Sequence, residues 1–392
     1  MTREKRGRII VTGMAFYLPT PGVLYQVLHY MLGLKRLGYD VYYIEDSDRW
    51  VYDSRVGDVV GDATSNVTTV ASLFERHGFS GRWGYRGKWD VNGCYGLTER
   101  QFKQHYRDSE ALLNVTGQHI QGDQLLCRRR IYIESDPFAT QVRVNGGDAV
   151  EAARLRAHDT HFTFGENIGQ PDCGIPESGF QWLPTRQPID IDLWASPGML
   201  SNEAAGCYTT VTTWVSHVPA IEHKGELYHW QKGREFERFA DLPCRASVGF
   251  QIAADGAEYV PSSMDAKGWN HVSATAVAGD ADAYQNFIAH SRAEFTVARD
   301  QYVRPRTGWF SDRSACYLAA GRPVITEETG FSKFLPTGDG LFGFSSIADV
   351  LAAIDVIESD YASCRRVATE IASEYFAAEK VVDSLMQRAG LA

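Results

Sequence analysis

The residues best suited to chemistry lie between Arg304 and Phe344, in the stretch RPRTGWFSDRSACYLAAGRPVITEETGFSKFLPTGDGLFGF. Ser311 stands where a helix N-cap is expected, and Asp312 and Arg313 would be the first helical residues. Free first-turn N–H groups and the helix dipole attract anions, and nearby arginines add positive charge. The pattern therefore predicts a phosphate-binding site formed by Ser311, Asp312, Arg313 and Arg306.

Two aromatic residues precede this helix, and they allow two interpretations. Trp309 or Phe310 could stack on a nucleobase beside the phosphate site. Alternatively, both rings plug the core and the neighbouring arginines are ordinary surface charges. The sequence leaves both interpretations open.

Four further side chains have the chemistry and placement of a general base. Asp46, His119, Asp136 and Glu166 each follow a segment that reads as a buried strand. A general base must reach a substrate hydroxyl at hydrogen-bond distance, so a strand end facing a cleft suits it. Asp136 also precedes a proline, which restricts the geometry of its turn.

Alternating strands and helices must position these residues. Arg8–Gly13 reads as a buried strand, Gly22–Leu37 as a helix and Asp40–Ile44 as the next strand. Such βαβ order predicts a parallel sheet covered on both faces. Later strands of the first half are predicted at Leu112–Val115, Arg130–Ile133 and His161–Phe164.

The second half repeats this order after a segment, Gln187–Asn202, that has no helical period. We therefore predict an α/β fold with two Rossmann-like, doubly wound domains facing each other across a cleft. The expected organisation is a first domain over 1–190, a linker over 191–205, a second domain over 206–360 and C-terminal helices over 361–392 that cross back to the first domain. Strands of the second half are predicted at Tyr208–Val215, Ala246–Ile252 and Ala293–Ala298, and one of its helices at Arg234–Asp241.

Composition excludes several classes of protein. The chain has 392 residues and a net charge of −10, and a charge of that sign argues against general binding to nucleic-acid backbones. No apolar run approaches the roughly 18 residues that a membrane span needs. The seven cysteines form no CxxC pair, so we expect reduced thiols and a cytoplasmic protein.

The stretch that follows Thr307 resembles the nucleotide-sugar-binding half of GT-B glycosyltransferases. Ala320-Gly321-Arg322-Pro323-Val324 and Thr329-Gly330-Phe331 match that pattern. The chain is also similar to a bacterial group of glycosyltransferases with related short strings. In this sequence those strings are Ser291–Phe295, Gly308–Arg313, Thr329–Ser332, Asp136-Pro137 and Phe162–Asn167.

The resemblance implies further roles at the donor site. Lys232 and Arg234 follow the first strand of the second domain, where a basic pair touches the diphosphate. The turn at Thr329, Gly330 and Phe331 would let backbone approach the sugar. Members of the fold place acidic residues where this chain has Gly308 and Cys316, so the ribose contact is expected from Glu328 or Glu327.

The resemblance implies a hexosyltransferase that uses a nucleotide-diphosphate sugar, with UDP-sugar favoured, and an acceptor hydroxyl; the second domain would bind the nucleotide sugar and the first domain the acceptor. It also implies catalysis that needs no metal and no further cofactor, and the DxD string within Asp280–Tyr284 is read as a helix N-terminus with acidic residues in its first turn. The chain has no GxxxxGK[ST] or GxSxG motif, and no GxGxxG follows the strand Ile9–Val11, which weakens the ATPase, hydrolase and dehydrogenase classes.

Three alternatives stay open at this point. The chain could be a nucleotide-sugar epimerase, or a nucleotide-sugar binding protein without catalysis. A small-molecule acceptor is favoured, but a modified nucleic-acid base is a third possibility. In that case Arg128-Arg129-Arg130 and the basic, aromatic stretch Arg82–Lys88 would line a groove.

Overall fold

A computed structural model describes residues 6–118, 120, 122–195, 206–216 and 218–391. Its α/β architecture confirms the predicted fold class, because two large parallel sheets carry helices on both faces. Among the described residues, no helix is long and apolar enough to cross a membrane.

The strands of the first half build one eight-stranded sheet and a small hairpin. The sheet order is β10-β9-β8-β7-β1-β2-β5-β6, and every pair is parallel except β5 with β6. The strands are β1 (Arg8–Thr12), β2 (Asp40–Ser47), β3 (Val51–Asp53), β4 (Asp58–Val60), β5 (Trp83–Gly87), β6 (Cys94–Tyr95), β7 (Ala111–Val115), β8 (Arg130–Glu134), β9 (Thr160–Thr163) and β10 (Trp182–Pro184).

The second half forms a six-stranded, fully parallel sheet in the order β15-β14-β11-β16-β17-β18. A short antiparallel hairpin, β12 with β13, stands apart from it. The strands are β11 (Cys207–Thr213), β12 (Ile221–His223), β13 (Glu226–Tyr228), β14 (Gly249–Asp255), β15 (Trp269–Ser273), β16 (Ala293–Thr296), β17 (Val324–Glu327) and β18 (Leu341–Phe344).

Within the described residues, fifteen α-helices connect and cover the sheets. They are α1 (Pro21–Arg36), α2 (Thr64–Arg76), α3 (Glu99–Asp108), α4 (Ala139–Asn145), α5 (Ala149–Arg156), α6 (Ile191–Trp194), α7 (Gly233–Glu237), α8 (Ser262–Asp265), α9 (Ala274–Ala278), α10 (Ala281–Ala289), α11 (Asp300–Val303), α12 (Asp312–Ala319), α13 (Ile347–Ser359), α14 (Tyr361–Ile371) and α15 (Ala378–Arg388). Short 3-10 turns span Gly122–Leu126, Ala257–Tyr259 and Phe331–Lys333, and a π-helical turn spans Ala372–Phe376.

Several local predictions differ from these bounds. The strand predicted at Ala246–Ile252 begins later, at Gly249, and the helix predicted at Arg234–Asp241 ends at Glu237. Pattern alone places such boundaries poorly, because tertiary contacts decide where an element stops. The hairpins and the edge strands β10 and β15 were not predicted, since each is only three to five residues long.

The two halves share one apolar core behind the cleft. Tyr25 of α1 stacks on Tyr284 of α10, and its hydroxyl donates to the Ala281 carbonyl at 2.9 Å. One continuous cluster of buried side chains includes residues of β1, α1, α12 and α15. The halves are therefore packed against each other as well as joined by the chain.

The segment expected as a linker is partly anchored. Its residues 196–205 lie outside the described residues, but Trp194 is fully buried and donates to His29 Nε2 at 3.0 Å. Gln187 donates to the Ser311 carbonyl at 2.9 Å, so the segment touches the start of α12.

The C-terminal helix contacts the first half along its length. The Ala378 N–H donates to the Ile189 carbonyl at 2.8 Å, and Arg129 donates to the Ala389 carbonyl at 2.7 Å. These contacts pack α15 on α1, with Gly33 giving the room: a Cβ there would come within 2.9 Å of the Ala378 carbonyl oxygen.

Candidate functional site

Two adjoining cavities open between the carboxyl ends of the two sheets. The long cavity has a volume of about 350 Å³ and follows the ends of strands β16, β11, β14 and β15. The inner cavity, of about 240 Å³, continues toward the ends of β1, β7 and β8. Open α/β sheets bind ligands at such an edge, where the strand order reverses between β11 and β16. Both cavities are lined by Thr20, Gly22, Lys232, Arg299, Asp312 and Arg313.

Three cations meet where the cavities join. Arg313 is held by Glu294 at 2.5 Å, by the Val211 carbonyl at 2.7 Å and by Thr296. Arg299 donates to Asp136 at 3.0 Å and lies 3.8 Å from the centre of the Trp230 ring. Each guanidinium therefore has an acidic partner, which fixes its position beside the cavities.

Lys232 differs from both arginines. It is 7% exposed, and no side chain or backbone group in the described part of the chain forms a hydrogen bond or ion pair with its ammonium. Burial, followed by the charges of Arg313 and Arg299, holds the pKa of Lys232 well below its usual range. An anion beside the ammonium would offset the cost of these surroundings, so the arrangement is suited to an anion that enters the cavities.

Two helix N-termini face the same place. Helix α12 starts at its N-cap Ser311, and α1 starts at its N-cap Thr20; neither cap side chain bonds to its helix. First-turn N–H groups lack intrahelical partners and, with the dipole, favour an anion. At Gly22 a Cβ would meet no atom within 4 Å, so the backbone of α1 borders open space there.

Acidic residues complete the junction. Asp312 lines both cavities, and burial raises its pKa. Asp136 lines the inner cavity and accepts from Tyr302, from Arg299 and from Ser135 at 3.0 Å. Asp136 therefore faces the cations from the opposite sheet.

Backbone strain marks the same edge of the first sheet. Thr116, which lines the inner cavity, has a φ of 70°, and Phe138, two residues after Asp136, has a φ of 109°. Residues other than glycine rarely adopt such φ angles, and backbone strain of this kind concentrates at functional sites.

The structure brings together part of the predicted phosphate set. Lys232, Ser311, Asp312 and Arg313 all border the cavities. Arg234 is exposed and lines neither cavity, and Arg306 bonds to Asp172 at 3.0 Å on the surface. Neither is placed to touch a diphosphate in these cavities.

Trp309 and Phe310, which were predicted to stack on a nucleobase, are instead packed against other side chains of the protein. Trp309 is 8% exposed, stacks near Tyr302 with ring centres 4.4 Å apart, and donates to the Ser135 carbonyl at 2.8 Å. Phe310 stacks on Phe376 at 5.4 Å and lies in the shared core. The position of these rings corresponds to the core-plug alternative, and neither ring presents a face to the long cavity.

The residues expected to hold ribose and sugar also lie away from the cavities. Glu328 accepts from the Gly330 N–H, and Glu327 accepts from Arg238 at 2.9 Å and from the Ala298 N–H. Thr329 donates to the Trp309 carbonyl, and Phe331 packs on Phe310. The turn therefore braces the loop before α12.

The other residues predicted as a general base do not lie with Asp136 at the junction of the cavities. Glu166 bonds to Arg186 at 2.5 Å, with its pKa raised by burial, and lines neither cavity. Asp46 lies in a side cavity of about 490 Å³ beyond β2, held by Arg86 at 2.7 Å. His119 lies outside the described residues.

Sequence reasoning missed Arg299, Thr20 and Gly22. Arg299 follows strand β16 by three residues, and no local pattern distinguishes it from a surface arginine. The Pro21-Gly22 pair at the start of α1 was a usable signal, because proline at the first helical position leaves the next N–H groups free.

Comparisons with known proteins give the fold and little more. No protein-family model matches the chain, and no curated protein matches it in sequence. Similar solved structures include HepE of Anabaena in complex with UDP and glucose, at 13% identity and a TM-score of 0.59 over 98% of this chain and 100% of that one. An alpha-glucosyltransferase (AGT) in complex with UDP has 11% identity and a TM-score of 0.60 over the same shares. The alpha-glucosyltransferase complex with UDP-glucose and DNA containing an abasic site has a TM-score of 0.56, 11% identity and the same coverage.

Lys232 generates a prediction for the protein without ligand. At neutral pH its ammonium is charged in the unfolded chain and opposed by Arg299 and Arg313 in the folded one. Lys232→Met removes that penalty, so we expect Tm to rise by about 2 °C or more. Because the folded pKa is lowered, wild-type stability should itself rise with pH through the folded pKa, and the advantage of the variant should shrink as pH approaches about 10.

Arg234→Met is the matched control, since it removes an exposed cation two residues away and should leave Tm nearly unchanged. Differential scanning fluorimetry across pH measures both variants. A Lys232→Met protein less stable than wild type at neutral pH would show that the ammonium has a stabilising partner.

Proposed function

We propose that this chain, whose fold is GT-B, is a glycosyltransferase that uses a nucleoside-diphosphate sugar. The donor would be a UDP-hexose, and the hexosyl group would pass to an acceptor hydroxyl with release of UDP and without a metal. The neighbours bound to UDP or UDP-glucose support this donor class.

The observation that carries the proposal is the unpaired, buried Lys232 between Arg299 and Arg313. A diphosphate can accept hydrogen bonds from the Lys232 ammonium, which has no partner among the described residues, and two helix N-termini border the same site. The long cavity, at about 350 Å³, is within the range of sites that bind small molecules.

The same groups supply chemistry as well as binding. Negative charge grows on the diphosphate as the bond to the sugar breaks, and fixed donors aimed at that charge lower the barrier. Glu294 and Asp136 hold the two guanidiniums in place beforehand, so little reorganisation is needed during the reaction.

Asp136 is the best-placed group for the acceptor. It stands on the first sheet, lines the inner cavity and faces the cations across the junction. An acceptor hydroxyl in the inner cavity could donate to its carboxylate while the sugar lies between them. We assign to Asp136 the orientation of that hydroxyl and the acceptance of its proton.

A small-molecule acceptor is favoured over nucleic acid. Arg130 is the first residue of β8, so the arginine cluster lies at the amino edge of the sheet, away from the cleft. Arg129 and Arg130 are bonded to backbone carbonyls. Arg86 is held by Asp46, Glu99 and Asp123. These arginine side chains are therefore already bonded within the protein, which makes them less available to nucleic-acid phosphates.

Binding of nucleotides tests the donor site. UDP should raise Tm of the wild type by several degrees, because a ligand at 100 times its Kd adds about 2.7 kcal/mol to the free energy of unfolding. Lys232→Met should lose most of that shift, and Arg234→Met should keep it. A panel of UDP, GDP, dTDP, ADP and CDP identifies the base.

Release of UDP from UDP-sugars, with and without added acceptors, then separates the activities. Acceptor-dependent release supports a transferase, whereas a changed sugar without release indicates an epimerase, and binding without turnover a non-catalytic protein. Absence of any nucleotide shift in the wild type would contradict the donor site itself.

Asp136→Asn tests the catalytic assignment. We expect kcat with an active acceptor to fall about 100-fold or more, because the amide cannot accept the proton, while the UDP-induced Tm shift persists. Glu166→Gln is the control: its partner Arg186 lies outside the cavities, so stability should fall and turnover of the folded enzyme should not. Full turnover by Asp136→Asn would remove this residue from the reaction.

A further inference from the structure

The strands whose ends line the long cavity allow distances to be judged along the edge of the second sheet. Arg299 follows β16, Thr212 and Thr213 end β11, and Asp255 ends β14. Thr213 pairs in register with Asp255, and neighbouring strands lie about 4.8 Å apart. Asp255 therefore lies one strand beyond the strand whose Val211 carbonyl anchors Arg313.

This distance matches the next part of a nucleotide. A diphosphate held by Lys232, Arg299 and Arg313 occupies the region of β16 and β11. The ribose of a nucleoside diphosphate is separated from its phosphate by one methylene group, so it extends to the next strand along the cavity. Small residues after β15, including Ala274 and Ala278, leave the far end open for the base.

The helix after the phosphate site has no carboxylate for the ribose. Cys316 is 3% exposed and packs in the shared core, and Glu327 and Glu328 are bonded elsewhere. Hydroxyl recognition must therefore come from another wall of the cavity.

Asp255 stands on that wall. It is exposed and lines the long cavity, and among the described residues its carboxylate has no hydrogen-bonding or ion-pair partner. Thr212 also lines the cavity, but it pairs in register with Ala254, so its side chain points to the opposite face of the sheet from Asp255. The Asp255 carboxylate is therefore the group on this wall that is available to a ligand hydroxyl.

Tyr52 of the hairpin β3–β4 lies across the cavity from Asp255. Its pKa is raised by burial and then by the Asp255 charge, and both residues line the long cavity. The two halves of the protein thus approach each other at this carboxylate.

We propose that Asp255 binds the vicinal hydroxyls of the donor ribose, so that the enzyme selects ribonucleotide over 2′-deoxyribonucleotide donors. The inference rests on the proposed function, because it concerns the same donor. A carboxylate has enough acceptor positions for both ribose hydroxyls, whereas a deoxyribose offers one.

The test compares UDP with 2′-deoxy-UDP by isothermal titration calorimetry on the full chain. Wild type should bind UDP roughly tenfold or more tightly than 2′-deoxy-UDP, since a hydrogen bond to a charged group contributes about 1.5–3 kcal/mol. In Asp255→Ala the ratio should fall to about one, because neither nucleotide retains the contact. Glu258→Gln is the control: it removes a charge three residues away, on an exposed side chain outside the cavity, and should keep the wild-type ratio.

Two results would overturn the assignment while leaving the donor site intact. One is equal binding of both nucleotides by wild type; the other is an unchanged ratio in Asp255→Ala. Failure of wild type to bind either nucleotide is a different outcome, which overturns the proposed function together with this inference.

Discussion

A lysine side chain that is buried beside two guanidiniums, with no hydrogen-bond or ion-pair partner among the described residues, is the constraint on which the rest of the cleft depends. Lys232 lies between two guanidiniums, and those guanidiniums already have Glu294 and Asp136 as partners. The folded chain tolerates this arrangement because strong packing elsewhere outweighs its cost. An anion that enters the cleft relieves it, so binding free energy comes from a strain built into the unliganded protein.

The packing that holds this strain links both sheets. Helix α1 contributes its N-terminus to the site and its opposite face to the core shared with α10, α12 and α15. Gln187 connects the segment between the halves to the Ser311 carbonyl at the start of α12. Site and core are therefore coupled: movement of one half against the other would change both helix N-termini at once.

Much of the fold follows from sequence pattern, and the site follows only in part. Continuous apolar strands and amphipathic helices predicted two parallel sheets, and Ser311 with Arg313 could be recognised from helix N-cap chemistry. Arg299 could not, because its role depends on Asp136 and Trp230, which are distant in sequence. Trp309 and Glu328 were misplaced for a related reason: local pattern does not say which face of a loop meets the cleft and which meets the core.

The most direct test of the central claim is proton uptake on binding of UDP, measured by titration calorimetry in buffers of different ionisation enthalpy. Between about pH 8 and 9 the diphosphate is fully ionised, and a bound anion should raise the lowered pKa of Lys232. Wild type should therefore take up a fraction of a proton per UDP, whereas Lys232→Arg should bind UDP without uptake. Binding by wild type with no proton uptake across this range, or the same uptake in Lys232→Arg, would contradict the role of Lys232 as the counter-charge of the diphosphate.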